Sequence, residues 1–362
     1  MIIGIDASKA ASAKRTGVEN FVYQLILHLQ STDKNNVYFL YTNIPLPAEL
    51  TRSANFIQKL NQKKRFWNSF FLPLAVFRNP CDVYLQPADK IPWTFRRKSA
   101  SVVHDLAWKY FPTAYSVKEK LRQINTLDNY AAKASKLICV SKSTQSDLLK
   151  YYPELKSKTD VVALGYDQDK FHPFEHPRDL LNIGAPYLLY VGRIEERKNL
   201  IRLTKAFLKL KQKKNIPHKL VLVGVPGFNF EAINTLIKKA GNLSKEIVMP
   251  GFVDHTDLPE IIARADVFVF PSLYEGFGLA VLEAQACGAP VLTSDTSSLP
   301  EVVGDAAVLC DPEDERDIAD NIYRLVSDEK LRQKYSTAGI KRAKQFSWEK
   351  TAEKVLGIME KL

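Results

Sequence analysis

Apolar residues cluster in short runs bounded by polar or glycine-containing turns. These lie at 1–6 (MIIGID), 37–41, 82–86, 101–104, 136–140 and 160–164 in the first half of the chain, and at 187–191, 220–223, 247–249, 267–270 and 289–292 in the second. Runs of that length read as buried strands. Between them the apolar positions return at the helical interval, as in Phe21, Val22, Leu25, Ile26 and Leu29, and again over 117–134, over 200–211, after Asp311 and from Ser347 to Leu362. The alternation predicts an α/β chain whose parallel sheets carry helices on both faces. No short-period repeat and no run of 18 or more apolar residues is present, so neither a solenoid nor a membrane-spanning helix is expected.

Residues 57–80, IQKLNQKKRFWNSFFLPLAVFRNP, join basic side chains to an aromatic stripe in which Phe66, Phe70, Leu74 and Phe77 fall at helical spacing beside Trp67 and Phe71. Pro73 should bend or break that helix. Two readings of the stripe stand side by side: packing inside its own domain, or peripheral contact with an anionic membrane.

At 362 residues with 46% hydrophobic content, the chain is long enough for two cores. Cys81, Cys139, Cys287 and Cys310 show no metal-ligand spacing, and the chain opens directly on a strand. A reduced, metal-free protein is therefore expected, cytoplasmic and at most associated with the inner face of the cell membrane. Residues 1–170 hold 25 Lys and Arg against 14 Asp and Glu, whereas the remainder is balanced, so the whole net charge of +11 lies in the first half. That half should meet an acidic partner. No nucleic-acid-binding motif accompanies the charge, and nucleic acid is not an expected partner.

The chemistry concentrates in 271–301, PSLYEGFGLAVLEAQACGAPVLTSDTSSLPE. An apolar strand feeds a loop and then a helix opening near Gly278, whose free N–H groups and partial positive charge suit a phosphate. Gly276 and Gly278 let backbone approach a ligand. Glu275 and Glu283 have seven residues between them, so an intervening helix sets them about 12 Å apart, too far for a glycosidase pair working across one bond. Two carboxylates at that distance with a phosphate site between them suit the hydroxyls at the two ends of a nucleotide-sugar.

The Glu275 to Glu283 spacing, the enclosed GFGLAVL and the downstream CGAPVLTSDTSSLPEVVGDAAVL resemble the donor signature of retaining family-four glycosyltransferases of the GT-B fold, and among these the bacterial polysaccharide mannosyltransferases. The resemblance implies two Rossmann-like domains facing across a cleft. These are an acceptor-side domain over 1–170, a donor-binding domain over 171–345, and a final helix, 346–362, crossing back to the first. It implies that Arg193 and Lys198, in GRIEERKN, hold the pyrophosphate with the amides of Gly278 and Leu279, while Glu275 takes the sugar hydroxyls and Glu283 the ribose. Gly192, Gly251, Phe252, Val253 and Phe277 would line the donor site, with Gly251, Phe252 and Val253 beside the base. The loop with Lys14, Arg15 and Gly17 resembles the family's glycine-containing element under the donor phosphates, here with one glycine where many members have two. His104, at the C-terminal edge of its strand, becomes a contact to the transferred sugar, although a structural histidine is as good a reading from the residue alone. Arg197 reads as surface charge. The triplet Asp167-Gln168-Asp169 has the pattern of metal-dependent glycosyltransferases, but it falls in the linker, and no metal or other cofactor is expected.

The function so implied is hexosyl transfer with retention, mannose first, from a nucleotide-sugar to a glycan or lipid-linked acceptor in surface polysaccharide synthesis. The alternative is a non-catalytic nucleotide-sugar-binding subunit of a glycan-assembly complex.

Overall fold

The computed structural model describes residues 1–12, 15, 17–63 and 65–362. Lys14, Thr16 and Lys64, which belong to two of the segments singled out above, lie outside the described residues. The chain divides into two units, Met1–Trp108 with Tyr115–Gly165 and Ser347–Leu362, and Lys109–Ala114 with Tyr166–Phe346. The second unit thus begins at Tyr166, slightly before the expected 171, and takes in the short segment around Tyr110.

The first unit is a seven-stranded parallel sheet of β1 (Ile2–Asp6), β2 (Val37–Thr42), β3 (Phe56–Leu60), β4 (Val83–Gln86), β5 (Ser99–Val103), β6 (Lys136–Cys139) and β7 (Thr159–Val161). Their order is β3-β2-β1-β4-β5-β6-β7. The second is a six-stranded parallel sheet of β8 (Tyr187–Val191), β9 (Lys219–Val223), β10 (Ile247–Gly251), β11 (Val267–Phe270), β12 (Val291–Ser294) and β13 (Val308–Cys310), in the order β10-β9-β8-β11-β12-β13. β4 and β11 are buried at every position, which is why β11 reads as an unbroken apolar run and β4 as one broken only by Gln86 at its end. In both units the order reverses beside the first strand, so loops that follow neighbouring strands diverge and leave room for a ligand.

The edge strand β3 was not expected. Its pattern is polar and half exposed, and what secures it is Phe56, whose ring stacks on Tyr38 at 4.2 Å between centroids. The stripe that follows is helical in two registers, a π-helical turn over Trp67–Phe71 and an α-helix over Leu72–Arg78. Pro73 does not break this run. It sits in the first turn of the α-helical part, where its missing N–H costs no helical bond. Trp67, Leu72, Ala75 and Val76 enter the core, while Phe66, Phe70 and Phe77 stay exposed, so the stripe itself does not fill the interior.

The last helix, Trp348–Glu360, packs against the helix Gly17–Thr32 of the first unit, with Trp348 buried beside Phe21. Thr351 Oγ1 donates to the Ala163 carbonyl at 2.9 Å. Gly165 lies so close to this helix start that a Cβ would stand 2.1 Å from the Trp348 nitrogen, so no larger residue fits there.

Candidate functional site

In the second unit the loops after β8, β9 and β11 gather at the C-terminal edge of the sheet. The loop after β8 is zipped to the loop after β9: Ile194 N donates to the Val225 carbonyl and Gly227 N to that of Ile194, both at 2.9 Å. Gly192 and Gly224 make this possible, since a Cβ on Gly224, at φ +146°, would lie 1.8 Å from the Gly192 carbonyl oxygen. The zipper fixes the backbone that carries Arg193, Glu195, Arg197 and Lys198.

Glu275, in the loop after β11, is buried, and its carboxylate is surrounded by donors. Lys198 Nζ lies 2.5 Å from Oε1, Ser272 Oγ donates to the same oxygen at 2.6 Å, and Arg197 Nη1 is 3.5 Å from Oε2. Burial alone would raise this carboxyl, but the Lys198 ammonium and the Arg197 guanidinium hold it below the ordinary range. Burial pulls Lys198 down from its usual value against the opposing attraction of Glu275. The pair is ionised, because two close opposite charges stabilise each other most where water is excluded.

Arg197 corrects the expectation of a surface charge. Its side chain is 16% exposed, against 64% for Arg193. It donates from Nη1 to the Tyr274 carbonyl at 2.5 Å and from Nη2 to Glu195 Oε1 at 2.9 Å, joining the loops after β8 and β11. Arg193 touches Glu195 only at 3.9 Å. Of the three cations, then, Arg193 is the one that reaches outward while Lys198 and Arg197 are bound to carboxylates.

The serines of SSLPE brace the same loop. Glu275 N donates to Ser297 Oγ at 3.0 Å, and Ser298 Oγ donates to the carbonyls of Glu275 and Phe277 at 2.9 and 2.8 Å. Gly278, at φ +107°, then opens the helix Leu279–Ala286 and, having no side chain, makes no side-chain cap bond, while its carbonyl accepts from Val281 N at 3.1 Å. Gly276 lies within this braced loop, and Phe277 is buried with its ring edge-on to Phe346.

Glu283, inside that helix, has a different environment. Burial and then the Asp167 carboxylate push it up to about 8, with Lys170 pulling the other way. Asp167 is itself paired with Lys170 at 2.9 Å. Among the described residues no group of three or more His, Cys, Asp or Glu side chains is arranged to hold a metal ion, Asp167 and Asp169 included. At the end of β10, Gly251 takes φ +81°; beyond it Phe252 is exposed with its ring edge-on to His255, and Val253 is half-buried.

In the first unit, His104 follows β5. Its Nε2 lies 2.8 Å from the Pro87 carbonyl, which can only accept, so Nε2 carries the proton. Burial keeps the ring below its ordinary pKa and hence neutral, with Nδ1 as an acceptor, and Phe21 packs edge-on at 5.1 Å. Gly17 opens its helix in exposed surroundings, and a Cβ added there would meet nothing within 4 Å, so packing does not require glycine at this position. Near the same sheet edge is a cavity of about 490 Å³ lined by Ser8, Lys9, Asn43, Phe66, Trp67, Asn68, Ser69 and Asp89. Buried Asp6 holds the start of this wall, accepting from Ser8 N at 3.1 Å and Ser8 Oγ at 2.7 Å. No contiguous motif announces this cavity, since its lining comes from four separate segments.

The family model for glycosyl transferases group 1 matches residues 172–342. The O-antigen chain mannosyltransferase B of Escherichia coli is 33% identical over 273 residues, covering 74% of this chain and 71% of that protein. A serotype-specific mannosyltransferase of Escherichia coli is 27% identical over 293 residues, covering 77% of this chain, which spans 35% of that protein's length. Among solved structures, a sucrose-phosphate synthase from Thermosynechococcus elongatus superposes with a TM-score of 0.79 at 20% identity, over 100% of this chain and 98% of that one, a likeness of fold.

Proposed function

We propose that this chain, which belongs to the glycosyl transferases of group 1 and has the GT-B fold, moves a hexose, mannose first, from a nucleotide-sugar to a glycan or lipid-linked acceptor with retention at the anomeric carbon. The observation that carries the reading is the Glu275 carboxylate, held charged by Lys198, Arg197 and Ser272 three residues before the N-cap glycine of a helix, which makes no side-chain cap bond. In this reading the diphosphate sits at that N-terminus, on the amides of Gly278 and Leu279. As it departs it gains negative charge, which Arg193 is free to swing onto and Lys198 shares with Glu275. Glu275 receives the sugar hydroxyls. A carboxylate so heavily paired is a weak nucleophile, which favours attack on the face from which the diphosphate leaves over a covalent intermediate on Glu275. Glu283 receives the ribose, and Phe252 and Val253 stand beside the base.

Mannose is favoured because both relatives described above are named mannosyltransferases, one of them of the O-antigen chain. The acceptor reading draws on the cavity of the first unit, where Asn43, Asn68 and Asp89 offer hydrogen-bonding groups next to the Trp67 ring. That mixture of polar and aromatic lining suits a pyranose, with its rim of hydroxyls and its apolar face. The test is to incubate the protein with GDP-mannose, and in parallel with UDP-hexoses, together with a mannose-terminated oligosaccharide, and to read the new linkage by NMR, with and without excess EDTA. Transfer with the donor's anomeric configuration, unaffected by EDTA, is expected. An inverted linkage contradicts retention, and loss in EDTA with rescue by manganese or magnesium contradicts metal independence and returns Asp167 and Asp169 to the site.

A further inference from the structure

On the first unit, Phe66, Phe70, Phe77 and Trp93 are 61, 54, 71 and 59% exposed. The segment that carries them is nevertheless well anchored. Trp67, Leu72, Ala75 and Val76 are in the core, Trp93 Nε1 donates to the Ser69 carbonyl at 3.3 Å, and Thr94 Oγ1 donates to the Pro73 carbonyl at 2.8 Å. These two bonds lay residues 93–94 along 69–73, so the rings belong to one ridge. Phe66 holds a left-handed backbone conformation, φ +59°, which a bulky side chain rarely adopts. A fold does not ordinarily leave four large rings on one rigid surface without a use for them.

The charge of the ridge points to what covers it. Residues 57–98 contain nine Lys and Arg against two Asp and Glu, so +7 of the chain's +11 is concentrated there. One of those two acids, Asp82, is already paired with Arg97 at 3.0 Å. The Arg65 guanidinium lies 4.9 Å over the Phe66 ring, and Arg78 and Arg96 are exposed close in sequence to Phe77 and Trp93. A second copy of the same chain would bring like charge against like. An anionic lipid surface answers both features, because Trp and Phe settle at the boundary between headgroups and acyl chains while Lys and Arg sit on lipid phosphates.

We propose that this ridge docks the first unit on an anionic membrane surface. The proposal does not depend on the donor reading. It does give a lipid-linked acceptor a route to the cavity, which has Phe66 in its lining.

The test is flotation of the whole chain with vesicles of phosphatidylcholine alone and with about 30% phosphatidylglycerol, at about 0.15 M and about 1 M salt, where screening lengths are about 8 and 3 Å. Two variants accompany it, Phe70→Ser/Phe77→Ser/Trp93→Ser and Arg65→Gln/Arg78→Gln/Arg96→Gln. Unchanged circular dichroism and unchanged melting show that each is folded. The wild type is expected to bind only the anionic vesicles and to release in high salt. Removal of three cations should weaken binding by roughly a hundredfold, at about a tenfold loss per 1.4 kcal/mol and about 1 kcal/mol per charge. The aromatic variant should lose binding already at the lower salt concentration, where the wild type binds. Equal binding to both vesicle types, no binding by the wild type, or retention by either folded variant overturns the proposal. So does sedimentation as a dimer without lipid that the aromatic variant abolishes, or single-stranded RNA bound in preference to vesicles through the same rings.

Discussion

At the C-terminal edge of the second sheet the charged side chains are buried and paired, Lys198 and Arg197 on Glu275 and Arg197 again on Glu195. At the corresponding edge of the first sheet the cavity is lined by the neutral polar Ser8, Asn43, Asn68 and Ser69 with Lys9, Asp89, Phe66 and Trp67, and His104 beside that edge is kept uncharged by burial. The first arrangement, which in the proposed reading meets a diphosphate with a sugar attached, tolerates little change because each charge depends on another. The second is an open surface of separate hydrogen-bonding and aromatic groups.

Replacement of a buried charge should have the largest effect. Lys198→Ala leaves Glu275 buried with Arg197 as its remaining cation, so turnover should fall by roughly a hundredfold or more and stability by about 3–5 kcal/mol in urea unfolding. The double variant Lys198→Met/Glu275→Leu should regain much of the stability and none of the turnover. A fully stable Lys198→Ala protein would mean that the pair is not the buried one described here.

Arg193→Ala sharpens the contrast. Because this side chain is exposed and only loosely paired, its loss should lower turnover by roughly a hundredfold, as for an anion-stabilising donor, with an unchanged melting temperature. Near-wild-type turnover would remove Arg193 from the leaving-group site.

A smaller effect concerns Glu283. With its carboxyl raised from an ordinary 4.5 to about 8, the native state holds a proton in that interval which the unfolded chain has released. Stability therefore falls as pH rises across the interval. Glu283→Gln removes this titration, so wild type and variant should melt together near pH 4 and separate in the variant's favour toward about pH 9. Parallel melting curves at every pH would show that Glu283 is not held protonated.

The contrast between the two edges also explains what can be read from the sequence. The parallel sheets are legible because β8 and β11 are unbroken apolar runs and β1 and β4 are mostly apolar, as strands covered on both faces tend to be. β3 is not, since an edge strand half exposed to water carries Gln58 and Lys59 and resembles a loop. The loop after β11 is legible because Glu275, Gly276, Phe277 and Gly278 are contiguous and the bracing serines follow within the single stretch 271–301. Arg197 misleads because a charge between Glu196 and Lys198 looks like a solvated run, and only the fold of the zipper loop turns it inward onto Tyr274 and Glu275. The cavity of the first unit is invisible for the opposite reason, its lining coming from segments tens of residues apart.

The central claim is that the second unit's edge binds a nucleoside diphosphate between Arg193 and Glu283. Melting of the wild type, Arg193→Ala and Glu283→Ala with GDP, UDP and ADP at one common concentration, about 100 times the dissociation constant of the tightest of them for the wild type, tests it most directly, since such a ligand stabilises by about 2.7 kcal/mol. A rise of a few degrees for one base over the others is expected in the wild type, much reduced in both variants at the same ligand concentration. No rise with any of the three nucleotides, or an equal rise in all three proteins, would contradict it.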